Sequence, residues 1–310
     1  MLLLLPTMHA IETVDLNKRF RRVAAVQDVR LQVPEGAVYA LMGPNGAGKT
    51  TLIKLLMNLL RPTSGSAFLL GAESFRLRGR PLESIGYVSE NQKHPDWMTV
   101  DTFLRYWHPF YPTWDRDLEQ QLVRRFDLPR KQRLKYLSRG MKMKAVLTSV
   151  LAYRPKLIVM DEPLSGLDPL VRDELMGGLL EQTAETSVLI SSHDLAEIES
   201  FSTHVGFMDA GRLRISEPMV ELRERFRKVI LKRLIPFEVP ENLPSDWRQF
   251  HAEGAVARWI ETGFAESASR ARARQIFGDA QLYSEPMTLR EIFLTLARPQ
   301  REAAESEAGQ

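Results

Sequence analysis

The chain has 310 residues, 44% of them hydrophobic and 26% charged, which is typical of a globular protein with a sizeable core. The formal net charge of +3 provides no broad basic field, so no nucleic-acid partner is expected. The absence of cysteine excludes disulfides, thiolate metal sites and thiol catalysis.

Residues 1–9 are predicted to be a short N-terminal lead-in. The leucine run at 2–5 is too short for a signal peptide, and no stretch approaches the about 20 apolar residues of a membrane span. If the protein works at a membrane, a partner must therefore hold it there.

The next segment predicts strands that lead into a glycine-rich loop. Residues 11–20 alternate in places as an edge strand would, and 23–33 form a second strand pair that ends at a turn at 34–36. A short apolar strand at 37–42 runs directly into glycines. Helical character at 50–60 then ends before Arg61 and Pro62.

A helical region is predicted to follow at about 91–152. Its first part, 91–136, is rich in aromatic residues and proline, and 138–152 forms a helix with Ser138 near its N-cap. Apolar runs at 157–160 and 187–191 are typical of buried parallel strands. Strands that alternate with helices predict an α/β fold with a parallel core.

The pattern changes after about residue 216. Residues 220–234 are rich in Arg and Lys, with apolar residues at helical spacing, and a mixed region then ends in a predicted helix at 289–297. We therefore predict a main domain at 10–216 and a smaller α+β accessory domain at 217–298. The polar segment 299–310 is predicted to be disordered.

Residues 43–50 fit the P-loop pattern G-x-x-x-x-G-K-[ST] in full. Its glycines let backbone N–H groups turn toward phosphates, and the helix that follows directs its positive end at the same anion. The lysine adds charge at the outer phosphates, and the threonine hydroxyl ligates Mg²⁺. The predicted ATP-binding residues are Gly43, Pro44, Asn45, Gly46, Ala47, Gly48, Lys49, Thr50 and Thr51.

Two acidic residues end the apolar strand at 157–160. Asp161 is predicted to help hold Mg²⁺, and Glu162 is placed to polarise an attacking water as general base. His193 follows the next apolar strand, where a histidine can hydrogen-bond the γ-phosphate and hold the water.

In this order the motifs resemble the nucleotide-binding subunit of an ABC transporter over about residues 10–215. The family's adenine-stacking aromatic matches Phe20, and its switch histidine matches His193. Its signature motif, usually L-S-G-G-Q, appears at 137–141, and its D-loop appears at 165–168. The corresponding site residues are Ser138, Arg139, Gly140 and Met141 in the signature, and Ser165, Gly166, Leu167 and Asp168 in the D-loop.

The resemblance implies a P-loop fold of ABC type with an antiparallel β-subdomain and a helical subdomain. It also implies a head-to-tail dimer, expected to be a homodimer, in which each ATP lies between the P-loop of one subunit and the signature of the other. Ser138 and Gly140 would then touch the γ-phosphate held by the partner. The implied cofactors are ATP and Mg²⁺, and ATP-driven closure would precede hydrolysis and reopening.

Two departures from the family pattern affect this site. Glu90 stands after the strand at 85–88, where the family usually has Gln; a carboxylate can ligate Mg²⁺ but cannot donate a hydrogen bond. Gln92 is the alternative, by a shift of register. Arg139 and Met141 replace the usual Gly and Gln, and Arg139 is expected to bring charge close to a triphosphate.

The aromatic segment 107–115 and the signature form Ser-Arg-Gly-Met-Lys resemble one group of bacterial exporter ATPases. These work with a separate permease and are close to those of antibiotic-resistance and cell-envelope-stress operons. The resemblance implies a peripheral protein at the cytoplasmic face of the membrane. The aromatic side chains would contact the permease or form the subdomain's own small core. The other functions left open are an importer subunit, a soluble ABC ATPase without a permease and a nucleotide-sensing regulatory module.

Overall fold

The computed structural model describes residues 9–90, 92–182, 186–238 and 242–296. The chain divides into two compact units, 1–216 and 217–310. The strands are β1 (His9–Phe20), β2 (Val23–Val29), β3 (Gln32–Pro34), β4 (Val38–Met42), β5 (Ser64–Leu69), β6 (Ala72–Glu73), β7 (Ile85–Ser89), β8 (Leu157–Asp161), β9 (Ser187–Ser192), β10 (His204–Asp209), β11 (Arg212–Pro218), β12 (Arg227–Lys232), β13 (Trp247–Glu253), β14 (Val256–Glu261) and β15 (Gln281–Pro286). The helices are α1 (Lys49–Leu56), α2 (Val100–Trp107), α3 (Arg116–Arg125), α4 (Arg139–Leu151), α5 (Pro169–Leu180), α6 (Met219–Arg225), α7 (Glu266–Phe277) and α8 (289–296).

The main sheet of the first unit has the order β11-β10-β4-β9-β8-β7. The pairs from β10 through β7 are parallel. Strands β4, β8 and β9 are buried along their whole length, as expected of parallel strands covered on both faces. Their carboxyl ends lie together at one edge, so the loops after β4, β8 and β9 meet there. The predicted α/β fold is confirmed.

A second, antiparallel sheet has the order β2-β1-β5-β6, with β3 also paired to β1. The prediction that 11–20 forms an edge strand was wrong, because β1 is bonded on both sides. Its alternation reports which side chains are buried and carries no information about edge position. Ile11 and Leu16, five positions apart, are both fully buried because the register shifts between residues 14 and 17. These residues share a core with Leu41 of β4 and Ile53 of α1.

Polar caps fix where the helices of the helical region begin. Thr99, Asp115 and Ser138 accept backbone N–H bonds at the starts of α2, α3 and α4. The predicted helix at 138–152 is therefore present as α4, with Ser138 as its N-cap. Helix α1 ends at Leu56, before the predicted residue 60. Among the described helices, none combines the length and apolar character needed to cross a membrane.

The second unit contains a four-stranded antiparallel sheet, ordered β13-β14-β12-β15, with α7 packed against its buried face. The helical character predicted for 220–234 was wrong beyond Arg225, where α6 ends and β12 follows. Val229 and Leu231 are buried and Lys232 is exposed, which is the two-residue period of a strand. Residues 289–296 are helical, while 297 and the tail at 299–310 lie outside the described residues. Of the predicted lead-in at 1–9, residues 1–8 also lie outside them, and His9 already belongs to β1.

Candidate nucleotide-binding site

The predicted P-loop connects the end of β4 to the start of α1. Gly43, Gly46 and Gly48 have φ angles of 153°, 83° and 104°, in the region that favours glycine. A Cβ atom on Gly43 would lie 2.2 Å from the Met208 carbonyl oxygen, and one on Gly48 would lie 2.3 Å from that of Ala25. Both positions therefore require glycine for space as well as for backbone conformation.

Lys49, the first residue of α1, lies within the loop and is only 6% exposed. Its Nζ donates to the Gly43 carbonyl at 2.7 Å and lies 3.2 Å from Glu162 Oε1. A buried ammonium group needs such partners, because its desolvation is otherwise costly. The charge is thus held at the position where the outer phosphates of a nucleotide would arrive.

Asp161 ends β8, between Ser89 of β7 and Ser191 of β9 in the sheet register. Its Oδ1 accepts hydrogen bonds from Thr50 Oγ1 and Ser191 Oγ, each at 3.0 Å. Burial raises the pKa of the Asp161 carboxyl, and the two hydroxyl donors act against that rise. A buried carboxylate whose Oδ1 accepts from two neutral hydroxyls is suited to receive a cation.

Glu162 and His193 follow two neighbouring strands, and their side chains meet. Glu162 has a left-handed φ of 52°, and its N–H donates to Ser191 Oγ at 2.9 Å. Its Oε2 lies 2.7 Å from His193 Nδ1. Lys49, Glu162 and His193 therefore form a continuous chain of polar contacts.

These side chains border an open cleft of about 770 Å³. The predicted residues that line it come from the P-loop, the ends of β7, β8 and β9, and the D-loop. They are Asn45, Gly46, Ala47, Gly48, Lys49, Thr50, Thr51, Glu90, Glu162, Ser165 and His193.

Glu90, rather than the alternative Gln92, borders the cleft. The Glu90 N–H donates to the Asp161 carbonyl at 3.1 Å, which fixes the register of this loop. Gln92 instead lines a separate, largely apolar cavity of about 240 Å³ beside Tyr87 and Trp107. The Glu90 carboxylate is paired with Arg139, not with Thr50 or Asp161.

The signature residues do not border the cleft of their own subunit. Ser138 Oγ accepts from the Met141 N–H at 3.2 Å and so acts as a helix cap. A Cβ on Gly140 would lie 2.7 Å from Val171 Cγ1, so Gly140 allows α4 to pack closely on α5. Phe20 is 43% exposed, with Lys18 Nζ 4.9 Å from its ring centre, and it lies outside the residues that line the cleft.

The D-loop leads into α5. Asp168 caps this helix by accepting the Leu170 N–H at 2.9 Å, and Gly166 has a φ of 64°. Leu167 is buried, whereas Ser165 reaches the cleft.

Sequence reasoning missed Ser191 and part of the cleft wall. Ser191 contacts both acidic residues, and its place at the end of β9, two residues before His193, was the available signal. The remaining wall comes from the antiparallel sheet and the β10–β11 turn, for which the sequence carried no signal. These residues are Val23, Ala24, Ala25, Gln27, Ala210 and Gly211.

The side chains fit a magnesium ion that is shared with a bound nucleotide. Within the described parts of the chain, no three His, Asp or Glu side chains are grouped to hold a metal ion. Mg²⁺ typically keeps several waters and uses one or two carboxylates with substrate phosphates. The Thr50 and Asp161 oxygens, 3.0 Å apart beside the P-loop, supply such a partial ligand set.

Comparison with known proteins identifies the family. Residues 26–165 match the ABC transporter family. The chain is 29% identical over 221 residues to the ABC transporter ATP-binding protein YtrB of Bacillus subtilis, covering 71% of this chain and 75% of YtrB. It is 30% identical over 224 residues to the bacitracin transport ATP-binding protein BcrA of Bacillus licheniformis, covering 71% and 73%.

A solved structure of the ATP-binding subunit of an ABC transporter has a TM-score of 0.62 and 28% identity. The match covers 69% of this chain and 92% of that subunit. Together with the P-loop geometry, these similarities establish that the chain belongs to the ATP-binding subunits of the ABC transporter family.

Proposed function

We propose that this chain binds Mg²⁺ and ATP and hydrolyses ATP to drive a separate membrane permease. The observation that carries the proposal is the chain of polar contacts from Lys49 through Glu162 to His193, all three of which line the cleft. In these contacts the Lys49 ammonium, a candidate base and a histidine meet at the loop that would bind the phosphates.

Binding would begin at the P-loop, whose N–H groups and helix α1 favour an anion. Lys49 would exchange part of its contact with Glu162 for the outer phosphates. Thr50 and Asp161 would hold Mg²⁺, which would neutralise part of the phosphate charge.

Hydrolysis requires a water oriented in line with the γ-phosphorus. Glu162 would take a proton from this water as its oxygen bonds to phosphorus, while the bond to the leaving oxygen of ADP breaks. His193, held through Nδ1 by Glu162, would orient the water and the γ-phosphate. The products are ADP and inorganic phosphate.

The complete site would need a second subunit. Ser138, Arg139, Gly140 and Met141 are absent from the residues that line the cleft, while Ser138 and Arg139 at the start of α4 are exposed. A head-to-tail homodimer would bring this helix terminus to the γ-phosphate held by the other copy, where a helix N-terminus favours an anion. Closure would also exclude water from the reacting phosphate.

An exporter is the favoured kind of transporter, because the relative BcrA is named for bacitracin transport. Trp97, Tyr106 and Phe110 are exposed on the helical region, whereas Phe103 is buried. The exposed rings are suited to contact a permease, and Phe103 serves the region's own core. Such contact would hold the protein at the cytoplasmic face of a bacterial membrane.

A Glu162→Gln variant tests hydrolysis directly. We expect ATP binding to persist and turnover to fall by about 10²- to 10⁴-fold, the usual contribution of a positioned proton acceptor. Glu174→Gln on α5 is the matched control, since Glu174 pairs with Lys144 and lies outside the cleft lining. Wild-type turnover in Glu162→Gln would contradict the assignment, whereas ATP binding without turnover in the wild-type protein would favour the regulatory module.

Cell fractionation tests the permease. We expect the chain to pellet with membranes when the permease is co-expressed and to stay in the supernatant without it. Recovery with membranes in the absence of any permease would contradict this mode of attachment.

A further inference from the structure

Two of the three positions at which this chain departs from the usual family residues, Glu90 and Arg139, are in contact with each other. Glu90 replaces the usual Gln and Arg139 replaces a usual Gly, and their side chains form an ion pair within one subunit. Each change alone would alter the charge of the cleft or of the signature helix. Their pairing means that the two charges compensate.

The pair joins three segments of the site. The Glu90 N–H donates to the Asp161 carbonyl, so the Glu90 end of the pair is anchored at the end of β8. Arg139 is the first residue of α4. A Cβ on Gly166 would lie 2.9 Å from Arg139 Nη1, so the guanidinium also lies against the backbone of the D-loop.

Charge explains why the pair matters for a triphosphate. Glu162 is already compensated by Lys49 and contacted by His193, and Asp161 is held by hydroxyl donors. Glu90 is a further carboxylate at the cleft, and it would repel a polyanion if it were left unpaired.

The helix dipole favours the same arrangement. A cation at the N-terminus of α4 is unfavourable, and a carboxylate placed beside it offsets that cost. The Glu90 and Arg139 side chains are 27% and 47% exposed, so the pair contributes little to stability and can be opened by a ligand.

We propose that Arg139 is a positioning residue that neutralises Glu90 within its own subunit and holds the Glu90 loop against α4 and the D-loop. ATP then enters a cleft in which Glu90 no longer repels it. This inference rests on the proposed ATP site, and it assigns Arg139 a role that does not need the second subunit.

The test is ATP affinity without metal, measured with a fluorescent ATP analogue in EDTA on monomeric protein. Arg139→Ala should weaken binding by about 2- to 5-fold, the range that exposed ion pairs give. In a Glu90→Gln background the same change should have little effect, because no carboxylate remains to be compensated. Arg124→Ala on α3, an exposed arginine outside the cleft lining, should bind as wild type.

Equal losses from Arg139→Ala in both backgrounds would overturn the proposal, because Arg139 would then act on the nucleotide itself. No loss in either background would also overturn it. Lys49→Ala separates this result from failure of the ATP site: unchanged binding in Lys49→Ala would contradict the proposed function itself. If Lys49→Ala loses ATP binding but Arg139→Ala has the same effect with Glu90 and with Gln at position 90, only the role of Arg139 is contradicted.

Discussion

Glu162 Oε2 lies 2.7 Å from His193 Nδ1, and the two residues follow β8 and β9, which are neighbours in the parallel sheet. Parallel strands end at the same edge, so residues 31 positions apart in the sequence become hydrogen-bond partners. The order of the strands in the sheet is therefore enough to bring the candidate base and its histidine into contact.

Removing the histidine should slow hydrolysis more than it weakens binding. His193→Ala leaves Lys49 and the P-loop intact but removes the group that would orient the water and the γ-phosphate beside Glu162. We expect turnover to fall by about 10²-fold, at the lower end for a positioned acid–base group, with ATP affinity nearly unchanged. Steady-state ATPase assays with His251→Ala, an exposed histidine of the second unit, provide the control. Equal turnover in the two variants would contradict the role of His193.

Asp161→Asn should stabilise the nucleotide-free protein and remove its Mg²⁺-dependent hydrolysis. Burial raises the pKa of Asp161, so the folded protein binds this proton more tightly than the unfolded chain, and the ionised form costs stability above the folded pKa. That cost disappears as pH falls. At neutral pH we expect Asp161→Asn without nucleotide to gain about 0.5–2 kcal/mol and to lose Mg²⁺-dependent hydrolysis.

Thermal melts from neutral pH down to about pH 4, near the ordinary pKa of an aspartate carboxyl, measure this effect. The difference in Tm between Asp161→Asn and wild type should shrink toward low pH. A constant difference, or a variant less stable than wild type at neutral pH, would contradict the prediction.

Gly140→Ala should destabilise the first unit through packing. The added Cβ would lie 2.7 Å from Val171 Cγ1. Overpacking costs about 1–3 kcal/mol, which exceeds the about 1 kcal/mol gained by replacing glycine in a helix. Urea unfolding should show a net loss that the double variant Gly140→Ala/Val171→Ala recovers in part. No loss in the single variant would mean that α4 and α5 can separate freely at this point.

The magnesium dependence of hydrolysis should respond to Glu90 and not to Gln92. Glu90 borders the cleft, whereas Gln92 lines the separate cavity near Trp107. A carboxylate is a better ligand than an amide for a hard cation, so Glu90→Ala and Glu90→Gln should both need more Mg²⁺. ATPase activity titrated with Mg²⁺ measures this. An effect confined to Gln92→Ala would place the active position two residues later.

The P-loop, the acidic strand end and the histidine were predictable because each is a local pattern. A glycine-rich loop between a buried strand and a helix, and polar residues after apolar runs, are fixed by short stretches of sequence. The edge assignment of β1 failed because alternation reports faces and carries no information about strand neighbours. Residues 220–234 were misread because Phe226, Val229 and Ile230 also stand at the three- and four-residue spacing of a helix.

The Glu90–Arg139 contact and the contribution of Ser191 could not be predicted from local patterns. Glu90 and Arg139 are 49 positions apart, and Ser191 meets Asp161 across two strands 30 positions apart. Such contacts depend on strand order and on how α4 packs. The sequence revealed both departures from the family pattern but not that they compensate each other.

The oligomeric state of Glu162→Gln with ATP tests most directly the claim that two copies share each nucleotide. Blocked hydrolysis should leave ATP in place, so light scattering after size-exclusion chromatography should find a dimer with ATP and Mg²⁺ and a monomer with ADP. Adding Ser138→Ala should weaken that dimer, because Ser138 caps the helix that would meet the partner's phosphate. A Glu162→Gln protein that binds ATP and remains monomeric at all concentrations would contradict the account.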